Sequence, residues 1–147
     1  MKTPAELTEL FRARGLKVTP QRQAIFRVLH GETTHPTAEA VYDAVSESMP
    51  TISLRTVYQT LNDLTAMGEV QALDLGTGSA RFDPNLDTHH HLVCEDCGRV
   101  IDIYADATAV RVPGAQRHGF TINTTEVVFR GRCPECRDQA RRKEVHG

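Results

Sequence analysis

The chain has 147 residues, enough for one ordinary domain or two very small ones. Hydrophobic residues make up 39% of it and charged residues 24%, which is ordinary globular usage and excludes a disordered chain or a fibre. No apolar stretch approaches the roughly 20 residues that a membrane span needs, and charges interrupt the N-terminus. The sequence therefore predicts neither a membrane segment nor a secretory signal, and it favours a location in the cytoplasm.

The charges are unevenly distributed, although the net charge is only −2. Residues 1–30 carry six basic and two acidic side chains, whereas residues 31–85 carry two basic and eight acidic ones. Residues 86–147 contain nine of each sign. A basic segment beside an acidic one is consistent with a directed electrostatic face, although an ordinary solvated surface is the more common reason for such runs.

The first half of the chain has the apolar spacing of helices. We predict one over residues 4–14, one over 20–29, a third capped by Thr37, and a fourth from Ser53 to about residue 67. Gly15 and Gly68 stand where the first and fourth helices should end. The predicted inward-facing residues of the last three helices are Ile25, Phe26, Val28, Leu29, Ala40, Val41, Ala44, Val45, Leu54, Val57, Leu61 and Leu64.

Two short strand-like runs follow the fourth helix. Residues 70–75 and 80–83 flank the turn Gly76-Thr77-Gly78, which predicts a β-hairpin. Helices followed by a hairpin are the pattern of a winged helix, a relative of the helix-turn-helix. The same pattern fits a small helical domain with a structural hairpin, so the pattern alone leaves DNA binding open.

The second half has a different periodicity. Residues 84–88 have the composition of a linker, runs at 91–93, 100–104 and 120–132 predict strands, and Pro134 begins a short basic helix. So small a module cannot bury a large core, and we expect a metal or a partner chain to stabilise it. The expected fold is α+β, with one domain over residues 1–83, a linker over 84–88 and a second domain over 89–147.

The strongest chemical signal is a pair of C-x-x-C motifs, at Cys94 and Cys97 and at Cys133 and Cys136. In a reducing compartment such pairs bind metal more often than they form disulfides. Four thiolates suit tetrahedral Zn²⁺, provided that a folded segment returns the second pair to the first. A redox dithiol is the alternative, but that chemistry needs only one pair.

Histidines and aspartates form a second candidate set. His89 and His91 alternate, so both point to one face of a strand, and Asp102 lies on the next strand-like run. Asp83 and His35 lie upstream. Three imidazoles and two carboxylates suit Fe²⁺, Mn²⁺, Co²⁺ or Zn²⁺. From spacing alone, solvent-exposed histidines remain the simpler interpretation.

Together these motifs resemble the ferric-uptake-regulator (Fur) superfamily of bacterial metal-dependent repressors, over essentially the whole chain. The segments that carry the resemblance are LKVTPQR at 16–22, HPTA at 35–38, ISLRTVY at 52–58, RFD at 81–83, HHHLVCEDCG at 89–98 and CPEC at 133–136. The resemblance implies an N-terminal winged-helix DNA-binding domain, a small C-terminal α/β dimerisation domain and a homodimer. It also implies structural Zn²⁺ on Cys94, Cys97, Cys133 and Cys136, and a regulatory metal at the hinge on His35, Asp83, His89, His91 and Asp102.

Within the superfamily, aspartate at positions 83 and 102 resembles the peroxide-sensing branch, PerR, because iron-uptake regulators typically carry glutamate at position 102. The implied regulatory metal is Fe²⁺ or Mn²⁺, with His35 or His89 as the residue that peroxide oxidises. The alternative is an iron- or manganese-responsive uptake regulator without peroxide sensing. A further site found in many iron regulators lacks its ligands here, so we expect His90 to face solvent.

The expected partner is double-stranded DNA with an inverted repeat, because a two-fold dimer requires a symmetric operator. The N-terminal residues of the fourth helix would enter the major groove, with basic residues on the backbone. The predicted contacts are Lys17, Arg22, Arg55, Thr56, Tyr58 and Gln59.

Two other classes of protein remain as alternatives. We expect no enzymatic activity, because a zinc enzyme using the His/Asp set would need a base apart from its ligands. A structural zinc adaptor without DNA contact would have no use for the winged-helix pattern. No small molecule other than peroxide is expected to bind.

Overall fold

The computed structural model describes residues 1–87, 89–107 and 109–146, and it divides into two compact units, Met1–Asp87 and Thr88–Gly147. Position 88 of the predicted linker and position 147 of the predicted second domain lie outside the described residues. In the described residues, every helix is too short or too polar to cross a lipid bilayer. The elements are α1 (Pro4–Ala13), α2 (Pro20–Leu29), α3 (Ala38–Ser46), α4 (Leu54–Ala66), β1 (Gln71–Leu73), β2 (Arg81–Asp83), β3 (His90–Cys94), β4 (Val100–Ile103), a short 3₁₀ turn (Gly114–Gln116), β5 (Val128–Gly131) and α5 (Pro134–His146).

Unit 1 begins with four helices, each of which starts at a hydroxyl cap. Thr19, Thr37 and Ser53 each accept a hydrogen bond from the backbone N–H three residues later. Thr3 and Glu6 form a reciprocal capping box at the start of α1. Such caps satisfy backbone donors that the first helical turn leaves unpaired, and they confirm the predicted helix starts.

The core of unit 1 lies between these four helices. The rings of Phe11 and Phe26 meet edge to face, with centroids 4.9 Å apart. The most deeply buried side chains are Leu7, Phe11, Ile25, Phe26, Leu29, Val41, Val45, Val57, Leu61 and Leu64. This set confirms most of the predicted inward faces.

Three positions depart from the predicted faces. Ala40 and Ala44 are exposed, because α3 turns Ala38, Val41 and Val45 inward instead. Leu54 is 37% exposed at the start of α4. The inward position in that helix belongs to Thr60, whose hydroxyl donates to the Thr56 carbonyl at 2.9 Å and so enters the core with its polar atom satisfied.

The hairpin predicted after α4 is present, with β1 and β2 antiparallel and Leu73 opposite Arg81. A further segment joins it, since the Phe82 N–H donates to the Pro36 carbonyl at 2.9 Å and Thr37 pairs with Arg81. The segment that leads into α3 is therefore attached to β2, and this attachment determines where His35 lies.

Unit 2 contains a three-stranded sheet in the order β4-β3-β5. Strands β3 and β4 are antiparallel, with His91 opposite Asp102. Strands β3 and β5 are parallel, with Cys94 opposite Gly131. Helix α5 follows β5 directly, as predicted from Pro134.

The predicted strand over residues 120–132 is wrong for its first part, because only Val128–Gly131 is a strand. The β-branched residues before Val128 have strand propensity, but a strand forms only beside a neighbour. The first pairing of β5 is between Val128 and His91, one residue after β3 begins at His90. The segment before Val128 therefore lies beyond the end of the strand that would pair with it.

Two leucines of α4 test how the core carries stability. Leu61→Ala should lower the free energy of unfolding of unit 1 by about 2–5 kcal/mol, because it leaves a cavity at a fully buried site. Leu54→Ala makes the same change at a partly exposed position of the same helix and should cost about 1 kcal/mol or less. Urea unfolding followed by helical circular dichroism measures both, and equal losses would contradict the assigned inward face.

Candidate metal centres and DNA-facing residues

The four cysteines of unit 2 come together as the sequence predicts. One sulfur from each of Cys94, Cys97, Cys133 and Cys136 lies within 4.8 Å of all the others. The Sγ atoms of Cys97 and Cys133 are 3.9 Å apart. Sulfurs that bind zinc tetrahedrally at about 2.3 Å are about 3.8 Å from one another, so this spacing fits a single Zn²⁺ ion.

The protonation of these thiols also favours a cation. The Cys133 backbone N–H donates to Cys94 Sγ at 3.4 Å, and this hydrogen bond is the main cause that lowers the pKa of Cys94 to about 6. A hydrogen bond to the Cys133 sulfur holds the proton on Cys136 and raises its pKa to about 12. One thiolate therefore forms readily near neutral pH, whereas the last forms only when a positive charge compensates it.

In unit 1, the structure pairs His35 with Asp83. The Nε2 atom of His35 lies 3.2 Å from Asp83 Oδ2, and both side chains are almost completely buried. His35 has a φ of +55°, in the left-handed region that residues other than glycine rarely adopt. Strained conformations of this kind persist where the surrounding structure holds them, and they are common at functional sites.

In unit 2, His89, His91 and Asp102 form a compact cluster. A single oxygen, Asp102 Oδ1, lies 3.0 Å from His89 Nε2 and 3.4 Å from His91 Nε2. The two imidazole rings meet at a steep angle with centroids 4.8 Å apart, and both residues are buried. Two imidazole nitrogens and a carboxylate oxygen directed at one point are a donor set for a divalent metal of the Fe, Mn or Zn type.

The prediction that His90 faces solvent is wrong. His90 is buried, and its Nδ1 accepts a hydrogen bond from the Val127 N–H at 3.0 Å. The His91 N–H in turn donates to the Val127 carbonyl at 3.2 Å, so the two histidines hold both backbone groups of Val127. Strand alternation places His90 on the face opposite His91, where the incoming chain before β5 covers it.

The residues predicted to contact DNA lie in unit 1 in different settings. Lys17, Arg55 and Gln59 are exposed and Thr56 is half-buried, whereas the exposed Tyr58 donates its hydroxyl to Glu39 Oε1 at 2.8 Å. Because that carboxylate binds the phenol proton, the pKa of Tyr58 is raised.

Arg22 has an internal role in unit 1. It lies 3.2 Å from Asp63 Oδ2, and its guanidinium carbon is 5.4 Å from the centroid of the Phe11 ring. Among the predicted DNA contacts, Arg22, like Tyr58, thus already contacts other residues of the protein. Its side chain is only 16% exposed.

Sequence reasoning assigned no role to Arg81, although it included the residue in the RFD motif. The Arg81 guanidinium donates to the His35 carbonyl at 3.1 Å. Its place two residues before the predicted ligand Asp83 was the available signal. The sequence did not show that the side chain would reach His35, because that contact depends on the pairing of residues 36–37 with β2.

These donor sets, and the order of four helices, a hairpin and a small sheet, fit the metal-responsive transcriptional repressors that the sequence motifs resemble. Residues 13–130 match the Ferric uptake regulator family, and the chain belongs to that family. The match confirms the family that the sequence motifs resemble and the α+β fold that this resemblance implies.

Relatives in both of the expected branches are similar to the chain. The peroxide-responsive repressor PerR of Staphylococcus aureus (strain Mu50 / ATCC 700699) is 37% identical over 129 residues, which cover 87% of each chain. The ferric uptake regulator of Pseudomonas aeruginosa, solved with manganese, is 31% identical with a TM-score of 0.64, over 91% of this chain and 99% of that one. The Helicobacter pylori regulator Fur, 22% identical with a TM-score of 0.75 over 90% of each chain, shares the fold.

Zinc binding to the four cysteines should be linked to proton release. At pH 7 the Cys136 thiol, with a pKa of about 12, must lose its proton to bind, whereas Cys94, with a pKa of about 6, is mostly a thiolate already. Below about pH 6, Cys94 is also protonated in the metal-free protein, so the apparent zinc affinity should fall more steeply there.

Calorimetry of zinc binding in buffers with different ionisation enthalpies measures this release. In a Cys136→Ser variant, the release at pH 7 should fall by about one proton per chain. Zinc binding that releases no protons and does not depend on pH would contradict the assignment.

Proposed function

We propose that the protein is a cytoplasmic homodimeric repressor that binds inverted-repeat operator DNA with its regulatory metal bound and releases it on exposure to peroxide. The observation that carries the proposal is the placement of His89 and His91 around one oxygen of Asp102, in a chain of the Ferric uptake regulator family. The 37% identity to a peroxide-responsive repressor supports the peroxide branch.

The structural metal of the proposal is Zn²⁺ on the four cysteines. Their sulfur spacing fits a tetrahedral ion, and their thiols resist full ionisation without one. Bound Zn²⁺ supplies charge compensation and a crosslink. Cys94 and Cys97 flank the turn after β3, and Cys133 and Cys136 flank the start of α5, so the four residues together would tie the C-terminal ends of β3 and β5 to the start of α5.

The regulatory metal of the proposal is Fe²⁺ or Mn²⁺, held by His35 and Asp83 of unit 1 and by His89, His91 and Asp102 of unit 2. Each unit supplies its share already grouped, as a His–Asp pair in unit 1 and a His–Asp–His cluster in unit 2. Because the ligands come from both units, metal binding would favour one arrangement of the DNA-binding unit over others. That is a two-state element biased by a ligand.

Dimerisation through unit 2 is supported by its exposed apolar side chains. Tyr104, Val110, Phe120 and Ile122 are all exposed, Phe120 to 76%. In the described part of unit 2, the buried hydrophobic residues are few, with Val93 and Val100 the main ones. Apolar surface of this extent around so small a core marks an interaction site, and a second copy of unit 2 is the occupant we propose.

The DNA interface of the proposal is the exposed N-terminal part of α4 together with Lys17. Arg55, Tyr58 and Gln59 point to solvent from consecutive turns, as base contacts in a major groove require. Arg22 instead contacts Asp63 of α4 and the ring of Phe11 of α1. We propose that it positions α2 against α4 and does not contact DNA.

Peroxide sensing would act on His35 or His89. Bound Fe²⁺ would supply one-electron redox chemistry with peroxide, and Mn²⁺ would supply it poorly. Overall, the two electrons that reduce peroxide come from the imidazole. The net change is transfer of one oxygen atom from peroxide to an imidazole carbon, with water as the other product. An oxidised His35 or His89 would be a poorer metal ligand. Weaker metal binding would then free the DNA-binding unit. The protein is not an enzyme in this proposal, because the oxidised residue is not regenerated.

Arg55 tests the DNA interface. A duplex is first selected from a pool of inverted repeats with the Mn²⁺-loaded protein, and affinity is then measured by fluorescence anisotropy. If Arg55 reads a base, Arg55→Ala should cost about 1–3 kcal/mol of binding and relax specificity at one position. If it binds phosphate, the loss should be uniform across sequences and the salt slope should fall by about one.

Arg142→Ala is the matched control, since Arg142 is an exposed arginine of α5 in unit 2. The assignment of α4 as the recognition helix fails if both variants bind the selected duplex as tightly as wild type.

Peroxide sensing is tested by loading the zinc-containing dimer anaerobically with Fe²⁺ or Mn²⁺ and adding stoichiometric peroxide. Mass spectrometry should find added oxygen on the peptides with His35 or His89 only after Fe²⁺ loading, together with loss of DNA binding. The exposed His30 and His118 report non-specific oxidation in the same sample. Asp102→Glu should retain metal while losing this sensitivity.

The other outcomes are equally informative. Unmodified histidines with retained DNA binding would favour the iron- or manganese-responsive regulator. Oxidation confined to the four cysteines would place the sensor at the zinc site.

A further inference from the structure

Arg81 contacts both the tip of the hairpin and a proposed metal ligand. Its Nε donates to Thr77 Oγ1 at 3.2 Å, and its Nη1 donates to the backbone carbonyl of His35 at 3.1 Å. All three residues belong to unit 1. One half-buried guanidinium therefore joins the hairpin turn to the segment that carries His35.

The contact with His35 acts on a conformation that needs support. His35 has a backbone φ of +55°, a conformation that residues other than glycine rarely adopt. The next two residues are held on β2, by the Phe82 N–H to the Pro36 carbonyl at 2.9 Å and by the pairing of Thr37 with Arg81. Arg81 thus contacts this segment twice, through its pairing with Thr37 and through its side chain at the His35 carbonyl. The imidazole of the same residue, His35, lies 3.2 Å from Asp83.

The other contact lies at the part of a winged helix that approaches DNA. Thr77 lies between Gly76 and Gly78, whose φ values of +72° and +105° form the turn at the hairpin tip. In a winged-helix interface this tip would be the wing, and we add it to the proposed DNA interface as a contact to the DNA backbone, which accepts most protein–DNA hydrogen bonds. Any contact that fixes the turn also fixes the Thr77 hydroxyl, which accepts a hydrogen bond from Arg81.

We propose that Arg81 is a positioning residue that couples DNA contact at the wing to metal binding at His35. The inference rests on the proposed function, in which His35 is a regulatory ligand. The planar guanidinium serves two acceptors at a fixed separation, which a lysine ammonium on a flexible stem does not. Because coupling between two sites is reciprocal, DNA on the wing raises metal affinity by the factor by which metal raises DNA affinity.

The test measures Mn²⁺ affinity of the zinc-replete full chain with and without the selected duplex. Electron paramagnetic resonance of unbound Mn²⁺ gives the dissociation constant directly, without any repression assay. For wild type, the duplex should raise Mn²⁺ affinity by about 5- to 150-fold, the usual range of coupling between sites. Thr77→Val removes the hydroxyl at constant shape. Arg81→Lys keeps the positive charge but replaces the planar guanidinium, with its several fixed N–H donors, by a single ammonium group. Both should lower the ratio of the two affinities well below its wild-type value.

Two control variants separate coupling from general damage to the turn. Thr77→Ser restores the hydroxyl and should restore the ratio. Ser79→Ala removes an exposed hydroxyl from the same turn and should keep the wild-type ratio. Since Arg81→Lys also alters a half-buried site, its folding is checked by zinc content and urea unfolding, and Thr77→Val tests the proposal independently of it.

The results distinguish this coupling from the function on which it rests. The role of Arg81 is refuted if Thr77→Val and folded Arg81→Lys keep the wild-type ratio. Equal Mn²⁺ binding by wild type with and without the duplex would instead refute the metal-dependent DNA binding on which that role rests. A zinc-replete wild-type chain that binds no Mn²⁺ would instead refute the regulatory site.

Discussion

Strand β3 lies at the centre of its sheet, and both donor sets of unit 2 depend on that position. Near one end, His91 stands opposite Asp102 of β4. At the other end, Cys94 stands opposite Gly131 of β5, two residues before Cys133. The parallel pairing with β5 is decisive, because an antiparallel return would carry Cys133 toward the histidines. Register matters equally, since a slip of one residue would turn His91 to the opposite face of the sheet.

Unit 2 has little besides these donor sets to hold it together. Its apolar side chains are mostly on the surface, whereas His89, His90 and His91 are buried beside Val93 and Cys94. Three histidines and one cysteine thus take up buried positions that apolar side chains occupy in an ordinary core. In the proposed function, an ion or a second subunit that binds only the folded form of this unit would add directly to its stability.

Local signals in the sequence predicted much of this molecule, because they act over a few residues. The hydroxyl caps, the helix-ending glycines and the cysteine pairs are of this kind. The failures at Ala40, Ala44, His90 and residues 120–127 have a different origin. An alanine is small enough for either side of a helix. The burial of His90 and the late start of β5 depend on which strands become neighbours. The contact between Arg81 and His35 spans 46 residues of sequence, and no local pattern encodes it.

The order of the donors along the chain has a consequence for synthesis. Unit 1 is complete at Asp87, whereas the second cysteine pair begins 46 residues later at Cys133. At about 5–20 residues per second, a ribosome takes roughly 2–9 seconds to cover that distance. After the first ten residues of this interval, Cys94 and Cys97 have both been synthesised without the other two cysteines of the group. If the four cysteines bind Zn²⁺ as proposed, the nascent chain carries an open dithiol beside a helical unit, and this dithiol has to stay reduced until Cys133 and Cys136 are made.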